Sequence, residues 1–102
     1  MVSFEQARRE EIRWRILRTL DAGRPLPVSE TLLFRVLFDV SLALTPQELR
    51  RELDYLSKSK LVTLIQNSNS GDPWLVELTE QGIECVEYSI PCPPGVARPP
   101  QV

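Results

Sequence analysis

Apolar side chains recur every three to four residues through the first sixty positions, and this spacing predicts three helices. The first helix covers residues 3–22, because Ser3 can cap its N-terminus and Gln6, three residues later, completes a capping pair. The sequence DAG at 21–23 and the prolines that follow it end this helix. The predicted core stripe is Ala7, Trp14, Leu17 and Leu20, with Ile12 and Ile16 on its flank.

The second helix is predicted for residues 29–40, with Ser29 as its cap, and it is apolar on nearly every side. Phe34 and Phe38 lie one turn apart on the face opposite to the core stripe. A helix of this kind is buried from two directions. Either the first helix or the C-terminal segment covers the second face, or a second copy of the chain does so in a dimer. The core stripe is Leu32, Leu33, Val36, Leu37 and Val40.

The third helix has a clearly marked beginning. Thr45 is its predicted cap, Pro46 occupies the favoured first position, and Glu48 completes a capping box. Because only residues 41–44 separate it from the second helix, the two helices fit a helix-turn-helix. The core positions of the third helix are Leu49, Leu53 and Leu56.

A β-hairpin and a short helix follow. Residues 61–66 and 74–78 are rich in β-branched and large apolar side chains, and turn-forming residues at 67–73 separate the two predicted strands. Thr79 is the predicted cap of a fourth helix that ends near residue 89. Five prolines among the last thirteen residues predict an extended or disordered tail.

These elements predict a mainly α-helical fold with a small β-hairpin. The architecture is a winged helix-turn-helix, with a three-helix core, a wing and a short fourth helix. The domain would cover residues 1–89, and residues 90–102 would form the proline-rich tail. At 102 residues the chain is long enough for one hydrophobic core.

Charge is distributed unevenly along a chain whose formal net charge is -2. Residues 1–60 carry 11 basic and 9 acidic side chains, whereas residues 61–102 carry one basic and five acidic side chains. The helical half is therefore mildly positive and the half that contains the wing is negative. A negative total charge gives the chain no general attraction to phosphate.

The composition argues against catalysis, metal binding and membrane insertion. There is no histidine, and two cysteines are too few for a disulfide framework or a metal site. We expect Cys85 to be a small buried apolar group and Cys92 to be a free thiol, since cytosolic cysteine pairs seldom stay oxidised. No apolar segment approaches the roughly 20 residues that span a bilayer. We expect a soluble cytoplasmic protein that is not an enzyme and holds no cofactor.

Three short motifs follow one another from the start of the third helix to the start of the fourth: TPQEL at 45–49, LDYL at 53–56 followed by KLV at 60–62, and LTEQG at 78–82. They resemble the entry to the recognition helix, the L-x-x-L…G-L-V run into the wing, and the L-T-x-x-G after the wing. These features occur in winged helix-turn-helix regulators of the arsenic-repressor-like and multiple-antibiotic-resistance-like families. The chain lacks the metal-binding cysteines and histidines of the arsenic-repressor-like sensors. With its CPPG tail, it also looks like short winged-helix proteins of Mu-like transposable phages and prophages.

The resemblance implies that the third helix enters DNA, so the side chains opposite its leucines would make the contacts. At 100° per residue the outward positions are Gln47, Arg51, Asp54 and Lys58, with Arg50 on the flank. Arginine and glutamine can address base edges, while a lysine and the capped helix start suit phosphate. The predicted DNA-binding residues are therefore Thr45, Gln47, Arg50, Arg51 and Lys58.

The same charges have a second interpretation. Arg50 with Asp54, Asp54 with Lys58, and Glu48 with Arg51 are spaced to form ion pairs within the helix. Each such pair would stabilise a solvated helix by about 0.2–0.5 kcal/mol and would not require DNA.

Two classes of function fit these observations. One is a small, phage-derived transcriptional regulator that binds double-stranded DNA as a homodimer, since two-fold pairing supplies two half-sites. The other is a protein-interaction module or phage adaptor, because the wing tip at 67–72 carries no positive charge and phosphate neutralisation dominates DNA affinity. Trp74 either packs beneath the hairpin or anchors a partner. Arginines of the first helix either track a DNA backbone or pair with neighbouring glutamates.

Overall fold

The structure is a computed structural model that describes residues 3–39, 44–66 and 71–101. Over these ranges it contains four helices and a three-stranded antiparallel sheet, which confirms the predicted winged helix-turn-helix. The elements are α1 (Phe4–Ala22), β1 (Val28–Ser29), α2 (Glu30–Asp39), α3 (Pro46–Lys58), β2 (Val62–Ile65), β3 (Leu75–Leu78) and α4 (Glu80–Val86). No helix in these ranges combines the length and the apolar character needed to cross a bilayer.

β1 is a strand that the sequence did not predict. Val28 pairs with Val76 and Ser29 with Leu75, so the strand order is β1-β3-β2 and β3 lies in the centre. Ser29 was predicted only as the cap of the second helix, and it serves in both roles, because its Oγ accepts the N–H of Leu32 at 3.2 Å. Two residues are too few to show an alternating pattern in the sequence.

The hydrophobic core lies where α1, α2 and α3 meet the sheet. Leu49, Leu53 and Leu56 are buried as predicted. In α1 the predicted stripe is wrong at its beginning, since Ala7 is exposed and the flanking residues Ile12 and Ile16 are fully buried. The N-terminal capping pair is half formed: Ser3 accepts the N–H of Gln6, whose side chain donates to Glu10 instead.

Apolar side chains on two sides of α2 are exposed. Leu32 is 51% exposed and Phe38 63% exposed, and the rings of Phe34 and Phe38 stack with centroids 6.2 Å apart. The expectation that α1 or the C-terminal segment covers the face of Phe34 and Phe38 is therefore wrong for Phe38, whereas Phe34 is half-buried against the core. The expected core position of Leu32 is wrong too, because the buried stripe of α2 is narrow and consists of Leu33 and Leu37. Val40 lies outside the described residues.

The chain after α4 packs against the helices. Residues 90–101 form no helix or strand, in agreement with their prolines, but they do not extend into solvent. The N–H of Ala97 donates to the carbonyl of Glu10 at 3.1 Å, and Arg98 donates to the carbonyls of Cys85 and Ile90.

A disulfide joins Cys85 to Cys92, so the prediction of a free thiol at Cys92 is wrong. Tyr88, at a φ of +63°, reverses the chain after α4 and directs the following residues back along this helix. The reversal places the two cysteines with their Cα atoms 5.3 Å apart. The free thiol was predicted from the rarity of disulfides in the cytosol, and that argument contains no information about the turn at Tyr88.

α3 ends in a Schellman motif with a lysine at the position that favours glycine. The N–H of Leu61 bonds to the carbonyl of Leu56, and the N–H of Lys60 bonds to that of Ser57, both at 3.0 Å. Lys60 has a φ of +65° and stands where the resembled motif has glycine. The left-handed conformation costs roughly 1–2 kcal/mol for a residue with a Cβ atom.

Lys60→Gly is expected to raise the free energy of unfolding by about 1 kcal/mol, because the relief of this strain exceeds the added entropy of the unfolded chain. Urea denaturation followed by circular dichroism measures the change. Lys60→Ala is the matched control, since it removes the same side chain and keeps the Cβ atom. Equal stability of the two variants would show that the left-handed conformation is not strained.

Gly82, the last residue of the LTEQG motif, lies against the turn between α3 and β2. A Cβ atom at this position would collide with the backbone carbonyl oxygen of Leu61, and it would lie 3.1 Å from a methyl group of Leu78. The N–H of Gly82 also bonds to the cap residue Thr79, whose hydroxyl donates to the carbonyl of Lys60 at 2.7 Å. The glycine therefore allows α4 to approach the end of α3.

Gly82→Ala is expected to lower the free energy of unfolding by about 1–3 kcal/mol, because backbone must move to admit the methyl group. The control is Gln81→Ala, an exposed neighbour in the same helix, which is expected to change stability by less than about 0.5 kcal/mol. Chemical denaturation of both variants decides the point. Similar midpoints would contradict the close approach.

Candidate nucleic-acid interface

α3 presents one face to the core and the opposite face to solvent. A complete capping box starts it, in which Thr45 Oγ1 accepts the N–H of Glu48 at 3.1 Å and the Glu48 carboxylate accepts the N–H of Thr45. The leucine side packs against the core, and the four residues predicted to point outward are all exposed. These residues are Gln47, Arg51, Asp54 and Lys58.

Two ion pairs fix α3 against α1. Arg8 lies 2.9 Å from Glu48, and Arg13 lies 2.7 Å from Glu52, whose side chain is only 4% exposed. The hydrogen bond from Arg8 holds the pKa of the Glu48 carboxyl below its ordinary value, although burial acts in the opposite direction. The arginines of the first helix were expected either to contact a DNA backbone or to pair with glutamates. Arg8 and Arg13 pair with glutamates on the inner side of α3.

The C-terminal segment closes over one of these pairs. The guanidinium of Arg13 lies 3.7 Å from the ring centroid of Tyr55 and donates to the carbonyl of Gly95 at 2.9 Å. The Tyr55 hydroxyl donates to the neighbouring carbonyl of Pro94. Residues 94 and 95 thus shield the Arg13–Glu52 pair from solvent.

A third contact group, the wing-base cluster, consists of Glu30, Arg50 and Trp74. Arg50 donates to both carboxylate oxygens of Glu30, at 2.6 and 3.0 Å, and its guanidinium lies 4.4 Å from the Trp74 ring centroid. The same carboxylate accepts the N–H of Trp74 at 2.9 Å. The hydrogen bonds from Arg50 are the main reason why the pKa of Glu30 is lowered and that of Arg50 raised. Trp74 is half-buried against the core, which agrees with packing beneath the hairpin.

Only one of the three ion pairs expected within α3 forms. Lys58 lies 2.8 Å from Asp54, and this carboxylate raises the pKa of Lys58. Arg50 bonds to Glu30 rather than to Asp54, and Glu48 bonds to Arg8 rather than to Arg51. Within the described ranges the side chain of Arg51 makes no ion pair or hydrogen bond, so its charge is available at the surface.

The predicted site residues are therefore placed unequally. Thr45 caps α3 and Gln47 lies in its exposed first turn, Arg51 is exposed and Lys58 is paired with an exposed partner, whereas Arg50 belongs to the wing-base cluster. Residues 67–70, most of the predicted wing tip, lie outside the described residues. Among the described residues, no group of three or more histidine, cysteine or acidic side chains could hold a metal ion.

Comparison with known proteins supports the fold. No protein-family profile and no curated protein matches the sequence. A mutant of MarR from E. coli, crystallised with operator DNA, is similar over 74% of this chain, with a TM-score of 0.59 and 24% identity. RV1404 from Mycobacterium tuberculosis is similar over 84% of the chain, with a TM-score of 0.56 and 20% identity. The match covers 49% of each of these two chains. This protein therefore has a MarR-like winged-helix fold and spans about half the length of these structures.

The depressed pKa values of Glu30 and Glu48 predict a loss of stability in acid. A carboxylate whose pKa is lower in the folded state stabilises that state fully above its ordinary pKa, and it loses this contribution as pH falls through the folded value. The free energy of unfolding should therefore fall as pH drops below 4.5, the ordinary pKa of a glutamate carboxyl. Glu30→Gln should flatten this dependence, and Glu11→Gln, on the exposed surface of α1, is the control. Identical pH profiles for the two variants in urea denaturation would contradict the assignment.

Proposed function

We propose that this protein is a DNA-binding transcriptional regulator that inserts α3 into the major groove of double-stranded DNA. The observation that carries the proposal is the division of α3, whose inner side is fixed by ion pairs and whose outer stripe is exposed. The similar fold of MarR, which was crystallised with operator DNA, supports it. Helix insertion of this kind places the N-terminal part of the recognition helix against base edges.

The pairing of charges leaves the outer stripe with one net positive charge, the same excess as in the sequence count. Residues 45–60 carry four basic and three acidic side chains. Two of the acidic ones, Glu48 and Glu52, are neutralised by arginines of α1 on the inner side. The outer stripe then presents Arg51 together with the Asp54–Lys58 pair.

We assign the predicted contacts to roles by chemistry. Gln47 and Arg51 have the donors and acceptors that read base edges, and Arg51 has no competing partner among the described residues. Lys58 and the capped N-terminus at Thr45 suit phosphate oxygens. Arg50 is the least available member of this set, because its Nε and Nη2 already donate to the Glu30 carboxylate.

A homodimer belongs to the same proposal. The face of α2 that carries Phe34 and the exposed Phe38 is a surface of the kind that pairs with a second copy. Two copies would offer two α3 helices to two half-sites of an operator. The phage-derived origin rests on the sequence resemblance, and the cytoplasmic location rests on the composition.

A protein-interaction module is the second candidate function, and the same apolar face favours it. Phe34 and Phe38 could receive an apolar segment of another protein, and the half of the chain that contains the wing is negative. In that case α3 would be a solvated helix with no affinity for nucleic acid.

Fluorescence anisotropy with random-sequence duplex DNA tests the choice. We expect binding that weakens steeply between about 50 and 200 mM salt, since each phosphate contact releases counterions. A surface without phosphate contacts would give no binding even at the lower salt concentration, which would favour the protein-interaction module.

Arg51→Ala is expected to weaken binding to a selected operator by about 1–3 kcal/mol and to relax specificity at one base pair. The charge-matched control is Arg18→Ala, which removes one positive charge from α1 beside Trp14 and should have a smaller effect. Titrations against the operator and a random duplex separate the two kinds of contact. If affinity falls equally for both duplexes, Arg51 contacts phosphate rather than a base.

A further inference from the structure

We infer that Arg50 is a positioning residue that fixes the base of the wing relative to α3, and that it does not contact DNA itself. The part of this inference that concerns DNA rests on the proposed function. The part that concerns the wing rests only on the wing-base cluster of Glu30, Arg50 and Trp74.

The cluster joins three separate elements. Glu30 is the first residue of α2, Arg50 lies in the second turn of α3, and Trp74 immediately precedes β3. Glu30 is bonded to Trp74 in two ways, because its N–H donates to the Trp74 carbonyl at 2.8 Å and its carboxylate accepts the Trp74 N–H at 2.9 Å. The backbone at the start of the returning wing strand is therefore held at the N-terminus of α2.

Arg50 completes this arrangement from the side of α3. It is bonded to both oxygens of the Glu30 carboxylate and covers the Trp74 ring at 4.4 Å. A guanidinium in this two-point geometry fixes the plane of the carboxylate, which a lysine ammonium cannot do. The orientation of that carboxylate in turn determines whether it can accept the Trp74 N–H.

Use of Arg50 as a DNA contact would conflict with this geometry. Glu30 has a side chain that is only 13% exposed, and the departure of Arg50 would leave its carboxylate without the cation that neutralises it. The unpaired Glu30 carboxylate would then lie close to the DNA and repel the phosphates to which Arg50 was bound. Both effects favour retention of the Glu30–Arg50 pair in the DNA complex.

Hydrogen exchange of the Trp74 amide in the protein without DNA is the first test. Arg50 makes no hydrogen bond to this amide, so Arg50→Ala should lower its protection only if the arginine positions the Glu30 carboxylate. Arg51→Ala is the matched control, since it removes the neighbouring exposed arginine of α3 and should leave the Trp74 amide unchanged. Undiminished protection in Arg50→Ala, with the fold verified by circular dichroism, would overturn the inference.

The second test is the effect of Glu30→Gln on DNA affinity, which has opposite signs for a positioning residue and for a direct DNA contact. Glu30→Gln removes a negative charge and loosens Arg50, so a direct contact predicts tighter binding. A positioning role predicts binding about 2- to 30-fold weaker, the range of coupling energies in packed networks converted to affinity. In Glu30→Gln, the slope of the logarithm of the binding constant against the logarithm of the salt concentration should stay the same, whereas loss of a phosphate contact would reduce its magnitude by about one.

Arg50→Lys adds a further discriminator, because it keeps the charge and loses the two-point geometry. We expect both Arg50→Lys and Arg50→Ala to weaken DNA binding; rescue by the lysine would reassign Arg50 to a phosphate contact and overturn the inference. If the native protein bound no DNA at all, the proposed function would fail. The exchange result for Trp74 would then still decide whether Arg50 holds the wing.

Discussion

The carboxylate of Glu52 imposes a constraint on which the arrangement of the helices depends. It is the one charged side chain that is buried within the described part of the chain, and a charge removed from water must be neutralised nearby. Arg13 does so at 2.7 Å and binds Tyr55 and Gly95 with the remainder of its guanidinium. Loss of either partner of such a pair costs about 3–5 kcal/mol, whereas apolar replacement of both is often neutral. The pair therefore ties α3 to α1 at one buried point but adds little to total stability relative to an apolar pair.

The parts of the fold that depend on residues close together in the sequence could be predicted. The Thr45–Glu48 capping box, the leucine stripe of α3 and the two wing strands need only local chemistry. β1 could not be predicted, because a two-residue strand is defined by its partner in β3. In α1, Trp14, Leu17 and Leu20 are buried as predicted and only Ala7 was misplaced, because the buried side of this highly charged helix begins at Ile12, where α2 and α3 pack against it.

The candidate site shows the same division between local and distant causes. The exposure of Gln47 and Arg51 follows from helical periodicity alone. The partners of Glu48 and Arg50 could not be predicted from periodicity, since they lie 40 and 20 residues away along the chain. They replace the ion pairs that were expected within α3. An ion pair with another helix is favoured here because packing already holds the two side chains in place. A pair on one exposed helix face loses more side-chain entropy, since two long side chains must be ordered in water.

The separation of α3 into a paired inner side and an exposed outer stripe bears on how such a protein can evolve. Side chains such as Gln47 and Arg51 take no part in the core, so they can be replaced without endangering the fold. The paired inner positions have less freedom, because each depends on a partner in another helix. If α3 contacts DNA as proposed, substitutions in the outer stripe would change the DNA sequence that is bound while the salt-bridged interior of the fold is retained.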